Sequence, residues 1–254
     1  MEKKHVQIIT GAVLTVLGLV AVILTRKAGI AENAGTAETV LFSVSLILLV
    51  IGILVTAAAF LQPERKPDVK VLTMTAMMAA LCYIAFAFFK IDIPVPGSME
   101  KTAFHLGNTF CVLAALLLGG MYGGLAGAIG MTIGDLLGGY VTSAPKTFLL
   151  KLMIGLITGL VAHKLLKIDQ ESDPKRVFWK TIVSASAGML FNVIADPVVG
   201  YFYKRYLFGL QQDLAKALAR ISAGTTLVNA VVAVIAATVF YLALRPVLKK
   251  MLKG

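Results

Sequence analysis

Long apolar runs alternate with short polar connectors along the chain, and eight of the runs are long enough to be helices: about 6–24, 40–61, 71–89, 102–118, 123–140, 147–166, 181–202 and 221–244. A hydrocarbon core about 30 Å thick takes roughly 17 to 25 apolar residues of helix to cross, and no soluble core requires so many runs of that length. The pattern predicts an all-α, polytopic helical membrane protein. The first run follows Lys3 and Lys4 as the core of a secretion signal would. It is too long for one, and Arg26 and Lys27 stand where a small-residue cleavage site is needed, so it reads as a span.

One connector differs from the rest. "LQPERKPDVK", residues 61–70, holds two prolines and five charges and is the only convincing linker. It divides the chain into a two-helix transmembrane hairpin at 1–62, a cytoplasmic linker at 63–69 and a six-span body at 70–254. An even number of spans puts both termini on one side. The basic residues fall more often on that side than on the other, which makes it cytoplasmic. Between the last two spans, "YKRYLFGLQQDLAKALARI" sets Leu207, Leu210, Leu214, Leu218 and Ile221 opposite Lys204, Gln211, Gln212, Lys216 and Arg220. Such an amphipathic helix either extends the last span along the headgroups or covers an external site.

Composition sharpens this picture and removes some alternatives. The 254 residues are 58% hydrophobic and only 15% charged, against roughly 25% charged in a soluble domain. A net charge of +11 suggests nucleic acid at first sight, but the positive residues gather in connectors, where retention of basic loops in the cytoplasm accounts for them. No nucleic-acid partner is expected. Cys82 and Cys111 lie in predicted spans without a CxxC pair or a histidine cluster, so neither a disulfide framework, a metal site nor a cofactor is indicated. "GGYVTSAPKTF" has Lys146 and Thr147 in phosphate-loop fashion, but Pro145 replaces the glycine and no strand precedes it.

Polar groups are costly in a bilayer core, so their depth is informative. Chain direction puts His105 and Asn108 at the outer end of the fourth span, Asp135 late in the outward-running fifth, and Lys146 and Lys151 at the start of the sixth. Asn192 and Asp196 come late in the seventh span, and Ser222, Thr225, Thr226 and Asn229 open the eighth. Five helices thus bring hydrogen-bonding groups to one level, and the inner halves of the same helices are mostly aliphatic. That asymmetry describes a pocket open to the outside. Singly, each residue also has a plainer account: interfacial position for Asp135, Lys146 and Asp196, snorkelling for Lys151, helix joining for Asn192 and Asn229, capping for His105.

Small residues mark packing surfaces. Gly119, Gly123 and Gly127 form one ridge at four-residue spacing and Gly130, Gly134 and Gly138 another. Ala76, Ala79 and Ala80 in the cytoplasmic half of the third span either pack inside the body or present a docking face to a second membrane protein.

The six-span body resembles the S component of energy-coupling factor (ECF) transporters, in the riboflavin-type S family. "FHLGNTFCVLAALLLGGMYGGLAGAIGMTIGDLLGGYVTSAPKTFLLK" and the "AMMAA" of the third span carry the resemblance. It implies a membrane subunit that captures a water-soluble vitamin or precursor of the riboflavin, pyridoxine or hydroxymethylpyrimidine class from outside. The subunit would dock on a transmembrane coupling protein bearing two ATPase subunits and deliver the ligand inward. Ala76 and Ala80 match the docking motif, and "KIDIPVPGSMEK" matches the family's lid-like first loop. The family norm is six spans, so residues 1–62 are an addition.

On that reading Asp135, Lys151, Asn192, Asp196 and Asn229 meet the ligand's polar edge, and Tyr83, Phe86 and Tyr140 pack against its ring. Trp179 is an interface anchor. The chain has no ATP-binding signature and so draws energy from partner subunits. The rival reading is a stand-alone transporter in which Asp135 or Asp196 carries protons. An intramembrane enzyme is disfavoured, since HExxH and GxSxG are both missing.

Overall fold

The computed structural model of the chain describes residues 68–95 and 101–253, together with helical positions within 10–21. The chain divides into two compact units, Met1–Gln62 and Pro63–Gly254. The predicted hairpin of spans at 6–24 and 40–61 lies outside the described residues except for those helical positions.

In the second unit six helices and one strand hairpin are described: α1 (Val69–Ala87), β1 (Lys90–Pro94), β2 (Lys101–His105), α2 (Gly107–Leu118), α3 (Gly120–Leu137), α4 (Ala144–Gly159), α5 (Pro174–Phe202) and α6 (Gln212–Lys253). Local chemistry sets several of the boundaries. Asp68 caps α1, its Oδ1 accepting the Val71 N–H at 2.7 Å. Asp173 caps α5 by accepting the Lys175 N–H, and Pro174 stands at the first helical position, where its missing N–H costs nothing. Gly119, at φ 92°, separates α2 from α3 in a conformation that other residues rarely adopt.

Among the described residues four segments are long and apolar enough to cross a membrane: Val69–Ala87, Val141–Leu165, Pro174–Leu207 and Gln212–Val247. Rows of exposed aliphatic side chains run along them, such as Leu190, Ile194 and Val198 on α5 and Val231, Ile235 and Val239 on α6. Contiguous apolar surface of this kind is suited to lipid. At about 1.5 Å per residue, α2 is only about 18 Å long. It needs no lipid-facing length, because from Cys111 to Leu118 every residue is buried among the other helices.

The two glycine ridges face different neighbours. A Cβ at Gly123 or Gly127 would fall on Ala115 or Cys111 of α2, and one at Gly130 or Gly134 on Ala79 or Phe86 of α1. Helix α3 is therefore in backbone-level contact on both sides, as small residues at this spacing allow.

The structure corrects the predicted fourth span. Residues 102–118 are not one helix: Lys101–His105 pairs antiparallel with Lys90–Pro94, Lys90 opposite His105 and Pro94 opposite Lys101. Apolarity reports burial and not backbone period, so a strand leading directly into a buried helix merges with it in the sequence pattern. Two further boundaries shift. The seventh span begins at Pro174, placing Trp179, exposed, within the first two turns of α5. The amphipathic segment from Gln212 is continuous with the last span, and its Ala215 and Leu218 are buried against the body.

Candidate functional site

Chain direction brings α1, α3 and α5 up to the strand hairpin and leads α2, α4 and α6 away from it. At that end the structure forms a partly open cavity of about 110 Å³ walled by β2, all six helices and Tyr140. Eleven of the twelve residues predicted to touch a ligand line it: Phe86, His105, Asn108, Asp135, Tyr140, Lys146, Lys151, Asn192, Asp196, Thr225 and Asn229. The shared depth inferred from the sequence is thus a shared cavity. Tyr83 is the exception, since it does not line the cavity and its ring meets Phe88 edge-on at 6.5 Å.

The polar residues fall into two groups. The first is satisfied within the fold. Lys146 Nζ lies 2.8 Å from Asp196 Oδ1, and the hydroxyls of Ser222 and Thr226 donate to Asp196 Oδ2, so this carboxylate binds α4, α5 and α6 together. Asn229 fastens the hairpin to α6. Its Oδ1 accepts the His105 N–H and its Nδ2 donates to the Ala103 carbonyl, both at 3.0 Å, and the Thr102 and Thr225 hydroxyls meet at 3.0 Å alongside. Asn229 and Asp196, expected to meet a ligand, are therefore already engaged by protein groups.

The second group is not satisfied. Among the described residues, Asn108 Oδ1, Asn192 Oδ1, Asp135 Oδ2 and His105 Nδ1 are buried without a hydrogen-bond partner. Lys151 is 7% exposed and forms no ion pair with a described residue. Buried polar atoms in native proteins are nearly always paired, so such a cluster in one cavity wall is a surface made for a solute or water.

Two aromatic rings close the cavity beside this group. Phe86 meets the His105 ring edge-on at 4.9 Å and the Tyr140 ring at 5.9 Å. Tyr140 in turn locks the hairpin: its hydroxyl donates to Asp92 Oδ1 at 2.6 Å, and Lys101 Nζ sits 2.9 Å from Asp92 Oδ2 and 4.6 Å from the Tyr140 ring centre. Partial burial pushes the Asp92 carboxyl up, but the hydrogen bonds from Tyr140 and Lys101 and the charge of Lys90 outweigh it and hold the group below the usual carboxylate range. The Tyr140 hydroxyl is pushed up, first by burial and then by its bond to the Asp92 anion. Sequence analysis did not single out Asp92 or Lys101, which only the strand register brings beside Tyr140.

The opposite end of the unit has a different character. The buried half of α2 from Val112 to Leu118 is wholly apolar. Below it the connector between α4 and α5 is held shut by Arg245, whose guanidinium donates to the carbonyls of Ile168 and Glu171 at 2.9 and 2.6 Å. Around the middle of α1, Ala76 and Ala80 are exposed in a surface shared with Leu72 and Met77. Ala79 is not part of that surface: it is buried, and its carbonyl lies against Gly130.

Comparison with known families gives one match. A family model described as ECF-type riboflavin transporter, S component, matches residues 66–246. No curated protein and no solved structure matches the chain.

Proposed function

The chain belongs to the family of ECF-type riboflavin transporter S components, and from that premise we propose that it captures a water-soluble vitamin or precursor in the cavity beneath its strand hairpin. Candidates are riboflavin, pyridoxine and hydroxymethylpyrimidine. The observation that carries the reading is the gathering of buried, unpartnered polar atoms from His105, Asn108, Asp135 and Asn192, with the Lys151 side chain, in one wall. A structural bundle gains nothing from such atoms, whereas a binding site needs them.

In this account the hairpin end faces outward and both termini lie in the cytoplasm of a cell whose plasma membrane the chain spans. The hairpin covers the bound ligand. The Ala76 and Ala80 surface of α1 lets a transmembrane coupling protein approach closely, and two ATPase subunits attached to that protein supply the energy for release inward. Residues 1–62 serve as an accessory two-span anchor.

Reconstitution into vesicles tests the division of labour. The chain alone binds its vitamin without hydrolysing ATP, and accumulation inside vesicles requires the coupling protein and ATPases. Uptake by the chain alone under a proton gradient would support the stand-alone transporter instead.

A further inference from the structure

The charges in the cavity wall narrow the ligand. Lys146 is closed on Asp196, and Lys101 on Asp92. Lys204 also lines the cavity but is not among its buried residues; the buried charges that remain are Asp135 and Lys151, from the facing helices α3 and α4, at 4% and 7% exposure. No ion pair joins them to each other or to any other described residue, and Asp135 Oδ2 lacks any hydrogen-bond partner there. An uncompensated buried charge is strongly unfavourable, so two of opposite sign left apart in one cavity ask for a partner that compensates both. Thr147 gives the Asp135 carboxyl one hydrogen bond, but an anion alone would leave its Oδ2 unmet, and a cation alone would leave Lys151 unmet. A molecule carrying both charges meets each without changing the net charge of the site.

Size and the remaining polar atoms agree. A dry cavity of about 150 Å³ accepts a single benzene ring, so at about 110 Å³ this one is on the scale of one ring. Asn108 Oδ1 and Asn192 Oδ1 are acceptors without donors, and each is 1% exposed by residue. They fit a ring bearing hydroxyl or N–H groups on its rim.

Resting on the reading of this cavity as a vitamin site, we infer that its ligand is a single-ring zwitterion, with an ionised oxygen for Lys151 and a protonated nitrogen for Asp135. Further hydroxyl or N–H donors on the ring meet Asn108 and Asn192. Riboflavin, with no charge at neutral pH, offers these two groups less than a hydroxypyridine does.

The test is equilibrium binding to the full chain in detergent, with pyridoxine as the single-ring zwitterion, hydroxymethylpyrimidine as an uncharged single ring, and riboflavin as the uncharged fused system. Pyridoxine binds at least tenfold more tightly than either. Removing its ring hydroxyl, as in 3-deoxypyridoxine, weakens binding at least tenfold on the unaltered protein, a comparison that needs no variant to fold. Lys151→Gln weakens pyridoxine binding to a similar degree but leaves 3-deoxypyridoxine binding unchanged. Preferred binding of riboflavin or hydroxymethylpyrimidine, or indifference to the ring hydroxyl, overturns the zwitterion and leaves the vitamin reading standing. If none of the compounds binds, the inference and that reading both fall.

Discussion

Asn229 grips the strand that ends at His105 from both sides: its Oδ1 accepts the His105 N–H and its Nδ2 donates to the Ala103 carbonyl, each at 3.0 Å. One side chain on α6 thereby satisfies two backbone groups of β2 and fixes the hairpin over the cavity. Asn229→Leu strands both groups, at a cost of roughly 1 to 3 kcal/mol for each one left buried and unpaired. The expected outcome is a lower unfolding temperature in detergent together with faster amide exchange at His105. Unchanged exchange there would show that the hairpin is held by other means.

Lys146 and Asp196 form a part-buried ion pair that two hydroxyls support. Removing one partner leaves the other charge without its counterion in a part-buried site, so Lys146→Met or Asp196→Leu each destabilise by about 1 to 3 kcal/mol. Replacing both together costs less than the sum of the single changes, because the double variant has no stranded charge. A double-mutant cycle from denaturation in detergent checks this; strict additivity contradicts it.

Glycines that look alike in the sequence should respond in opposite ways. At Gly123 and Gly130 a methyl group would enter the backbone of α2 and α1, so alanine at either site destabilises by roughly 1 to 3 kcal/mol or more. Gly224 lies on α6 with open space where a methyl group would stand, and Gly224→Ala stabilises by up to about 1 kcal/mol through helix propensity. Thermal melts of the three variants separate close approach from mere smallness.

Asp92 gives the hairpin an acid limit. Its carboxyl is held below the usual range in the folded protein, so folding favours the anion. The stabilisation is fully present above the ordinary carboxylate value of about 4 and is lost as pH falls through the lower, folded value. The protection of β1 amides from exchange, relative to their intrinsic rates at each pH, therefore falls in acid below about pH 4. In Asp92→Asn that protection is already lower at neutral pH and the acid step is lost.

Much of this architecture was legible because a bilayer penalises polar groups. Run length located the helices of the body, and depth along each run was enough to gather His105, Asn108, Asp135, Lys151 and Asn192 before any geometry was known. Depth does not say which polar group meets which. Asn229 and Asp196 lie at the same level as Asn192, yet hairpin backbone and Lys146 occupy the first two, while Asn192 Oδ1 has no partner among the described residues. Alanines at 76, 79 and 80 present a similar limit. They span about 100° of the helix circumference, and only the placement of Gly130 decides that Ala79 turns inward. The strand hairpin escaped because "KTAFH" runs unbroken into the apolar helix behind it, and its pairing partner lies across a connector.

Native mass spectrometry of the gently purified full chain tests the central claim, that the cavity beneath the hairpin holds a vitamin-sized solute. The expected spectrum shows a retained small molecule that is absent from Asn192→Leu, in which a branched aliphatic side chain replaces an unpartnered polar one at the cavity wall. A spectrum with no retained molecule after incubation with riboflavin, pyridoxine and hydroxymethylpyrimidine, or one in which Asn192→Leu retains the ligand undiminished, would contradict it.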